Sequence, residues 1–413
     1  MRTSYDVLVI GGGPAGSTTA EQLATAGFDV AVLEEHAVVG EPVDCTGVVG
    51  AEAFETFDLP REIVVGTVDT ITIHSPGGIA ATYQGSDPLA YTVDRAELDR
   101  TIARRAVDAG ATILLSTQAV DVDRESRGVH VTCRRPEGEL CKLSGKVVIL
   151  AGGPRFAFHE RLGLGTSSLL WRSAHTELPG NSLPHAQVYL GRDVAPGAFG
   201  WAVPVRRRGM PHVRVGVNSH NDAPRYLRKL CEEKFPHLIP EDGSLSHRSW
   251  VVPVLPVCRT YGDRVLAVGD AAGQVKPTSG GGIYYGMLSA REAADTVGEA
   301  FKRGTFTMQS MSSYERRWRA RLGFDLKVGT LFRRLFARMA DGDMDDLFRT
   351  LHTDGLLARI TEKVSFDWHR ELVLFLLKHP KLARIFLRRC LDTHAEPAFS
   401  DLPALKSHAA NGS

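Results

Sequence analysis

Long apolar runs are missing from this sequence. The longest late in the chain, Leu372–Leu377, falls far short of the roughly 20 residues that cross a bilayer. Cysteine is sparse as well, with six in 413 residues at positions 45, 133, 141, 231, 258 and 390. None forms a CxxC pair or a Cys/His spacing, which argues against a metal cluster or a disulfide framework and for free thiols in a reducing compartment. Neither sign of charge dominates: 49 Lys and Arg face 48 Asp and Glu, so no global field recruits nucleic acid. Lysine is absent before Lys142. The N-terminus opens on a strand pattern rather than a charged and apolar leader. The expectation is a cytoplasmic protein, soluble or peripheral on a membrane. No internal repeat is evident.

What is present starts at once. Val7–Ile10 is a continuous apolar run, as in a strand buried on both faces. Gly11-Gly-Gly-Pro-Ala-Gly16 follows, then a helical stretch from Ala15 to Ala26, Gly27, and a second strand Val30–Leu33 ending at Glu34. Gly11 allows the tight turn, Gly13 lets a pyrophosphate approach the backbone, and Gly16 lets helix and strand pack closely. The helix N-terminus offers free N–H groups and a positive dipole end to phosphates. Glu34 stands where a carboxylate can accept both hydroxyls of an adenosine ribose. Strand, glycine turn, helix, strand and acid together predict a dinucleotide site.

A second cluster lies far along the chain. The apolar strand Val265–Val268 precedes Gly269-Asp270-Ala-Ala-Gly273, then Lys276-Pro-Thr-Ser-Gly280-Gly281-Gly282-Ile283 and a helix from Tyr284 to about Arg303. Asp270 is placed to bind a ribityl hydroxyl, and the glycine run to present bare N–H groups. This pair of motifs, with Asp94-Arg95-Ala-Glu-Leu98-Asp99, resembles the FAD-dependent group built around para-hydroxybenzoate hydroxylase and the geranylgeranyl reductases. The resemblance implies FAD as cofactor, Arg95 reaching it, Ala119 contacting the adenine through its backbone, and Ala15, Gly281, Gly282 and Ile283 in the cofactor site. Ala151-Gly152-Gly153 departs from the group's usual Ala-Asp-Gly and removes one supporting acid.

Two further segments resemble the reductase branch. Pro42-Val-Asp-Cys45-Thr46-Gly47 fits its PxxCxG pattern, which implies Cys45, Thr46 and Gly47 near the flavin and Cys45 as a catalytic candidate. Phe199-Gly-Trp201-Ala-Val203-Pro204 fits YxWxFP loosely, implying Phe199, Trp201 and Pro204, with Cys45, as substrate-cavity walls. Against these stand plain readings: a small buried cysteine and a core tryptophan. The resemblance implies reduction of C=C bonds in a polyprenyl lipid by hydride from reduced flavin. The electron donor, NAD(P)H or a reduced carrier protein, is left open. The alternatives are an FAD-dependent monooxygenase acting on an apolar substrate and a lipid-binding flavoprotein without turnover. A halogenase would need a lysine in the N-terminal third, which this chain lacks. Tyr284 and Tyr285 are candidate proton donors.

The expected fold is α/β. A Rossmann-type FAD domain (1–64, 93–165 and 259–305) interleaves with a mostly antiparallel substrate sheet (65–92 and 166–258). A C-terminal helical region (306–391) and a tail (392–413) follow. Ser312-x-x-Glu315 suggests a capping box, with Tyr314, Trp318 and Leu322 on one helix face. Residues 315–390 hold 17 Lys and Arg against 10 Asp and Glu, a basic, apolar bundle suited to lipid head groups.

Overall fold

The computed structural model describes residues 2–181 and 183–388. Its base is a six-stranded sheet in the order Tyr261–Gly262, Val265–Ala267, Val147–Leu150, Val7–Ile10, Val30–Leu33, Thr112–Leu114. All neighbouring pairs are parallel except the first. Val7–Ile10 is covered on both faces, which is why it reads as an unbroken apolar run. From this strand the chain first builds outward to Val30–Leu33 and Thr112–Leu114. It then returns to add Val147–Leu150 on the other side. The switch of direction opens a crevice at the carboxyl ends of the first and fourth of these strands, where such sheets bind ligands.

The Pro14–Thr25 helix begins with proline at its first turn, and no side chain caps it. Its leading N–H groups are therefore left for a ligand. By contrast, Asp94 caps the Arg95–Asp108 helix by accepting from the N–H groups of Ala96 and Glu97. The excursion between Thr112–Leu114 and Val147–Leu150 is a three-stranded antiparallel sheet, Gln118–Glu125, Gly128–Arg134 and Leu140–Gly145.

A seven-stranded sheet forms the second layer, in the order Arg248–Pro253, Leu170–Pro179, Met210–Ser219, Phe199–Arg207, Ala186–Tyr189, Thr70–His74, Ala80–Gln84. Only Ala186–Tyr189 and Thr70–His74 pair in parallel. Val48–Gly50, Ala90–Val93 and Val64–Val68 make a small sheet linking the two layers.

The long C-terminal helix, Met308–Arg338, buries Tyr314, Trp318 and Leu322 against the parallel-sheet layer. Tyr314 donates its hydroxyl to Ala267 O at 2.9 Å, and Trp318 Nε1 donates to Thr260 Oγ1 at 2.9 Å. The helix starts a turn before the Ser312 box that the sequence suggested. Thr307 is the cap, and Met308 N donates to Asp263 Oδ1 at 2.6 Å. Ser312 and Glu315 lie inside the helix because burial of Met311 and Tyr314 extends it N-terminally. Asp341–Thr353, Leu357–Thr361, Arg370–Lys378 and Pro380–Leu387 complete the bundle and cover Ile73 and Ala81 of the large sheet. The expected continuation to Leu391, with Arg389 and Cys390, and the tail from Asp392 lie outside the described residues. No described helix is long and apolar enough to cross a membrane.

Candidate functional site

A cleft of about 870 Å³ runs along the crevice at the sheet's carboxyl edge. Of the residues proposed for cofactor contact, Gly11, Gly13, Ala15, Glu34, Arg95, Ala119, Asp270, Gly282 and Ile283 all line it. They come from five separate segments, so the fold has gathered them. Gly11 turns with φ +104°, and a Cβ there would lie 2.5 Å from Ala151 O. A Cβ on Gly16 would fall 2.0 Å from Gly11 O. Gly16 therefore works by packing and does not line the cleft. Gly13 does line it, and apart from its own chain neighbours no described atom lies within 4 Å of where its Cβ would be.

Glu34 is held on both oxygens. Oε2 accepts from Gly12 N at 2.8 Å, and Oε1 accepts from His36 N at 3.0 Å. Glu35 takes Gln118 Nε2 at 3.2 Å and Arg155 Nη1 at 2.6 Å. The sequence reading missed these neighbours, which frame the same end of the cleft. Arg155 follows the Ala151-Gly152-Gly153 departure, and no local pattern marks it.

At the other end, the Asp270 carboxylate makes no hydrogen bond among the described residues. Burial pushes its pKa up to about 6, opposed by Arg95. A Cβ on Gly282 would lie 2.6 Å from Asp270 Oδ1, so the glycine is what lets the acid and the Ile283–Arg303 helix start share this corner. An uncapped helix N-terminus, a glycine-lined wall and an orphaned carboxylate suit a diphosphate and a polyhydroxyl chain together. These residues fit FAD.

Cys45, Thr46, Gly47 and Gly281 lie outside the lining of this cleft. The Cys45 loop instead bends around Arg95, with a Cβ on Gly47 (φ +76°) only 2.9 Å from Arg95 Cγ. Arg95 clamps Asp99 through Nη2 at 2.8 Å. Burial opposes its charge, but Asp99 and Cys45 more than offset that and raise its pKa. Trp201 Nε1 donates to Thr46 Oγ1 at 3.1 Å, and Arg214 Nη1 donates to Thr46 O at 2.6 Å. The two motif segments are thus joined. Phe199 and Trp201 meet with ring centres 5.8 Å apart and planes tilted by 56°, while Pro204 turns its carbonyl towards Gly66.

The two tyrosines considered as proton donors are committed elsewhere. Tyr284 donates to Glu52 Oε1 at 2.7 Å and Tyr285 to Asp367 O at 3.0 Å, and neither lines the cleft. Another contact went unforeseen: Lys276, at the head of the glycine run, pairs with Asp367 from the C-terminal region.

The family of FAD binding domains matches residues 4–322. Digeranylgeranylglycerophospholipid reductase 2 of Methanothermobacter thermautotrophicus is 30% identical over 400 residues, covering 92% of this chain and 98% of its own. A digeranylgeranylglycerophospholipid reductase of Methanosphaerula palustris is 28% identical, with 92% and 97% covered. Among solved structures, a geranylgeranyl bacteriochlorophyll reductase-like protein of Thermoplasma acidophilum superposes with a TM-score of 0.80 at 24% identity, over 92% of this chain and 98% of that one. That likeness shows the fold.

Proposed function

Because the chain belongs to the geranylgeranyl reductase family of FAD-dependent oxidoreductases, we propose that it saturates isolated C=C bonds in a polyprenyl lipid. Reduced FAD, when bound, supplies hydride to one alkene carbon, and a proton completes the other. The chain's own residues have three tasks. The Gly11–Pro14 turn and the helix behind it bind the diphosphate. Glu34 fixes the ribose, and Asp270 a ribityl hydroxyl. Phe199, Trp201 and the Cys45 loop, which contact one another, would wall off a dry substrate cavity. An unactivated alkene has no carbonyl to polarise, so exclusion of water and positioning must contribute much of the rate.

The observation that carries this reading is the Trp201–Thr46 hydrogen bond at 3.1 Å. It couples the loop expected beside the flavin to the strand expected to carry the substrate wall, across 155 residues. The relatives named for digeranylgeranylglycerophospholipid support the substrate class. Contact with a membrane surface is part of the proposal. On the long helix Phe324, Lys327, Leu331, Arg334 and Arg338 are all exposed. The three cations in that stripe make no ion pair among the described residues.

The test is anaerobic. Dithionite-reduced enzyme is mixed with geranylgeranyl lipids, and the flavin absorbance is followed. Reoxidation with formation of the saturated chain is expected. Flavin that no such lipid reoxidises sinks the reading, and rapid oxygen-dependent turnover with hydroxylated product replaces it with a monooxygenase.

A further inference from the structure

Arg333 is a buried cation to which the chemistry above gives no task. It sits on the Met308–Arg338 helix and is 2% exposed. Its Nε and Nη2 have no hydrogen-bond partner among the described residues. Among the described residues no acid offsets its charge, and burial pulls its pKa down to about 9. The titratable neighbour His220 is held neutral, first by burial and then by Arg333 itself. The guanidinium lies 4.4 Å from the Trp171 ring centre and 5.8 Å from that of Phe336. Such contacts return only part of what a charge loses by being left buried and unpaired.

The surroundings say what would pair with it. Trp171 is fully buried, and its Nε1 is a further orphan donor. A Cβ on Gly280 would lie 3.3 Å from Trp171 and 3.5 Å from Asn218 Nδ2, so this corner adjoins the glycine run. Trp171 in turn meets Phe199 at 6.2 Å, and Phe199 meets Trp201 at 5.8 Å. The result is a continuous row, Trp201, Phe199, Trp171, Arg333. It is apolar and aromatic for three members and cationic at its end. A matching ligand is a long apolar chain that ends in an anion.

We propose that Arg333, assisted by Trp171 Nε1, binds the phosphate of an anionic polyprenyl lipid whose chain runs along Phe199 and Trp201. This rests on the reductase reading and adds to it the residue that selects a phosphorylated substrate. Planar guanidinium donors suit a phosphate oxygen pair.

The experiment measures binding without turnover. Oxidised FAD-bound full-length protein and its Arg333→Met variant are titrated with geranylgeranyl phosphate, geranylgeraniol and inorganic phosphate. Wild type is expected to bind the phosphate ester at least about 10-fold more tightly than the alcohol, as the loss of a charge-assisted hydrogen bond would predict. Arg333→Met should bind both equally, with alcohol affinity unchanged. Its ligand-free Tm should rise by a few degrees, because an unpaired buried charge has gone. Inorganic phosphate binding at Arg333, with no gain of ester over alcohol, assigns the site to free phosphate and overturns the lipid assignment. Equal wild-type affinities, discrimination that persists in Arg333→Met, or a large fall in its Tm each overturn the proposal as well. If the ester preference holds while no lipid reoxidises the flavin, the reductase reading fails and the anion site stands.

Discussion

The ammonium of Lys276 and the carboxylate of Asp367 meet at 2.8 Å, with side chains only 5% and 2% exposed. Lys276 Nζ also donates to Phe366 O at 2.9 Å. The pair fastens the segment before the Arg370–Lys378 helix to the head of the glycine run. A Cβ on Gly281 would lie 2.7 Å from Lys276 Cε, so the lysine stem supports that run from beneath. Removing one partner strands the other. Asp367→Ala should therefore destabilise by roughly 3–5 kcal/mol, and Lys276→Met with Asp367→Leu by much less. Urea unfolding of the two variants, followed by tryptophan fluorescence, checks this.

Glu34 offers a second prediction. It is 8% exposed and accepts from Gly12 and His36 while facing the cleft. Glu34→Ala removes the expected ribose acceptor and frees the Gly12 N–H. FAD affinity should fall by about 10-fold or more, at about 1.5–3 kcal/mol for hydrogen bonds to a charged group. Flavin fluorescence on dilution gives the dissociation constant directly.

For Gly16 the expectation is structural. With a Cβ 2.0 Å from the Gly11 carbonyl, backbone must move rather than a flexible side chain. Gly16→Ala should open the turn against the helix. Purified protein should carry less than a tenth of the wild-type flavin content, as read by absorbance, through loss of the close helix–strand approach.

Asp270 makes stability depend on pH in the absence of flavin. Its folded pKa is raised from 3.8 to about 6 by burial, so the folded state holds the proton more tightly than the unfolded chain. Stability is lost as pH rises from about 4 through 6, by up to about 3 kcal/mol. Asp270→Asn should flatten this slope and raise the Tm of flavin-stripped protein at pH 8, with little change below pH 4. Calorimetry across that range decides it.

The exposed stripe on the long helix predicts lipid attachment. Replacing Lys327, Arg334 and Arg338 with Glu should abolish flotation with phosphatidylserine-containing vesicles. Each basic residue is expected to contribute about 1 kcal/mol near an anionic surface. Neutral phosphatidylcholine vesicles should recover far less wild-type protein. Equal recovery of variant and wild type on anionic vesicles would remove the membrane proposal.

The sequence by itself determined the flavin half of this protein. Gly11, Gly13 and Gly16 work through backbone geometry, while Glu34, Arg95, Asp270 and Gly282 stand just past a strand or at a helix start, so their placement around the cleft shows in local spacing. Val7–Ile10 was legible because a strand covered on both faces must be apolar throughout. Cap choice was less legible. Thr307 and Ser312 are equivalent in type, and burial of Met311 and Tyr314 chose the earlier one. Tertiary structure alone decided that Lys276 would meet Asp367 across 91 residues and Trp201 would meet Thr46 across 155. It also set Arg333 against Trp171, with no acid to answer it among the described residues. Such pairings depend on how separate layers dock. A charged or aromatic residue reads the same in sequence whether it ends in solvent, in an ion pair or alone in the interior.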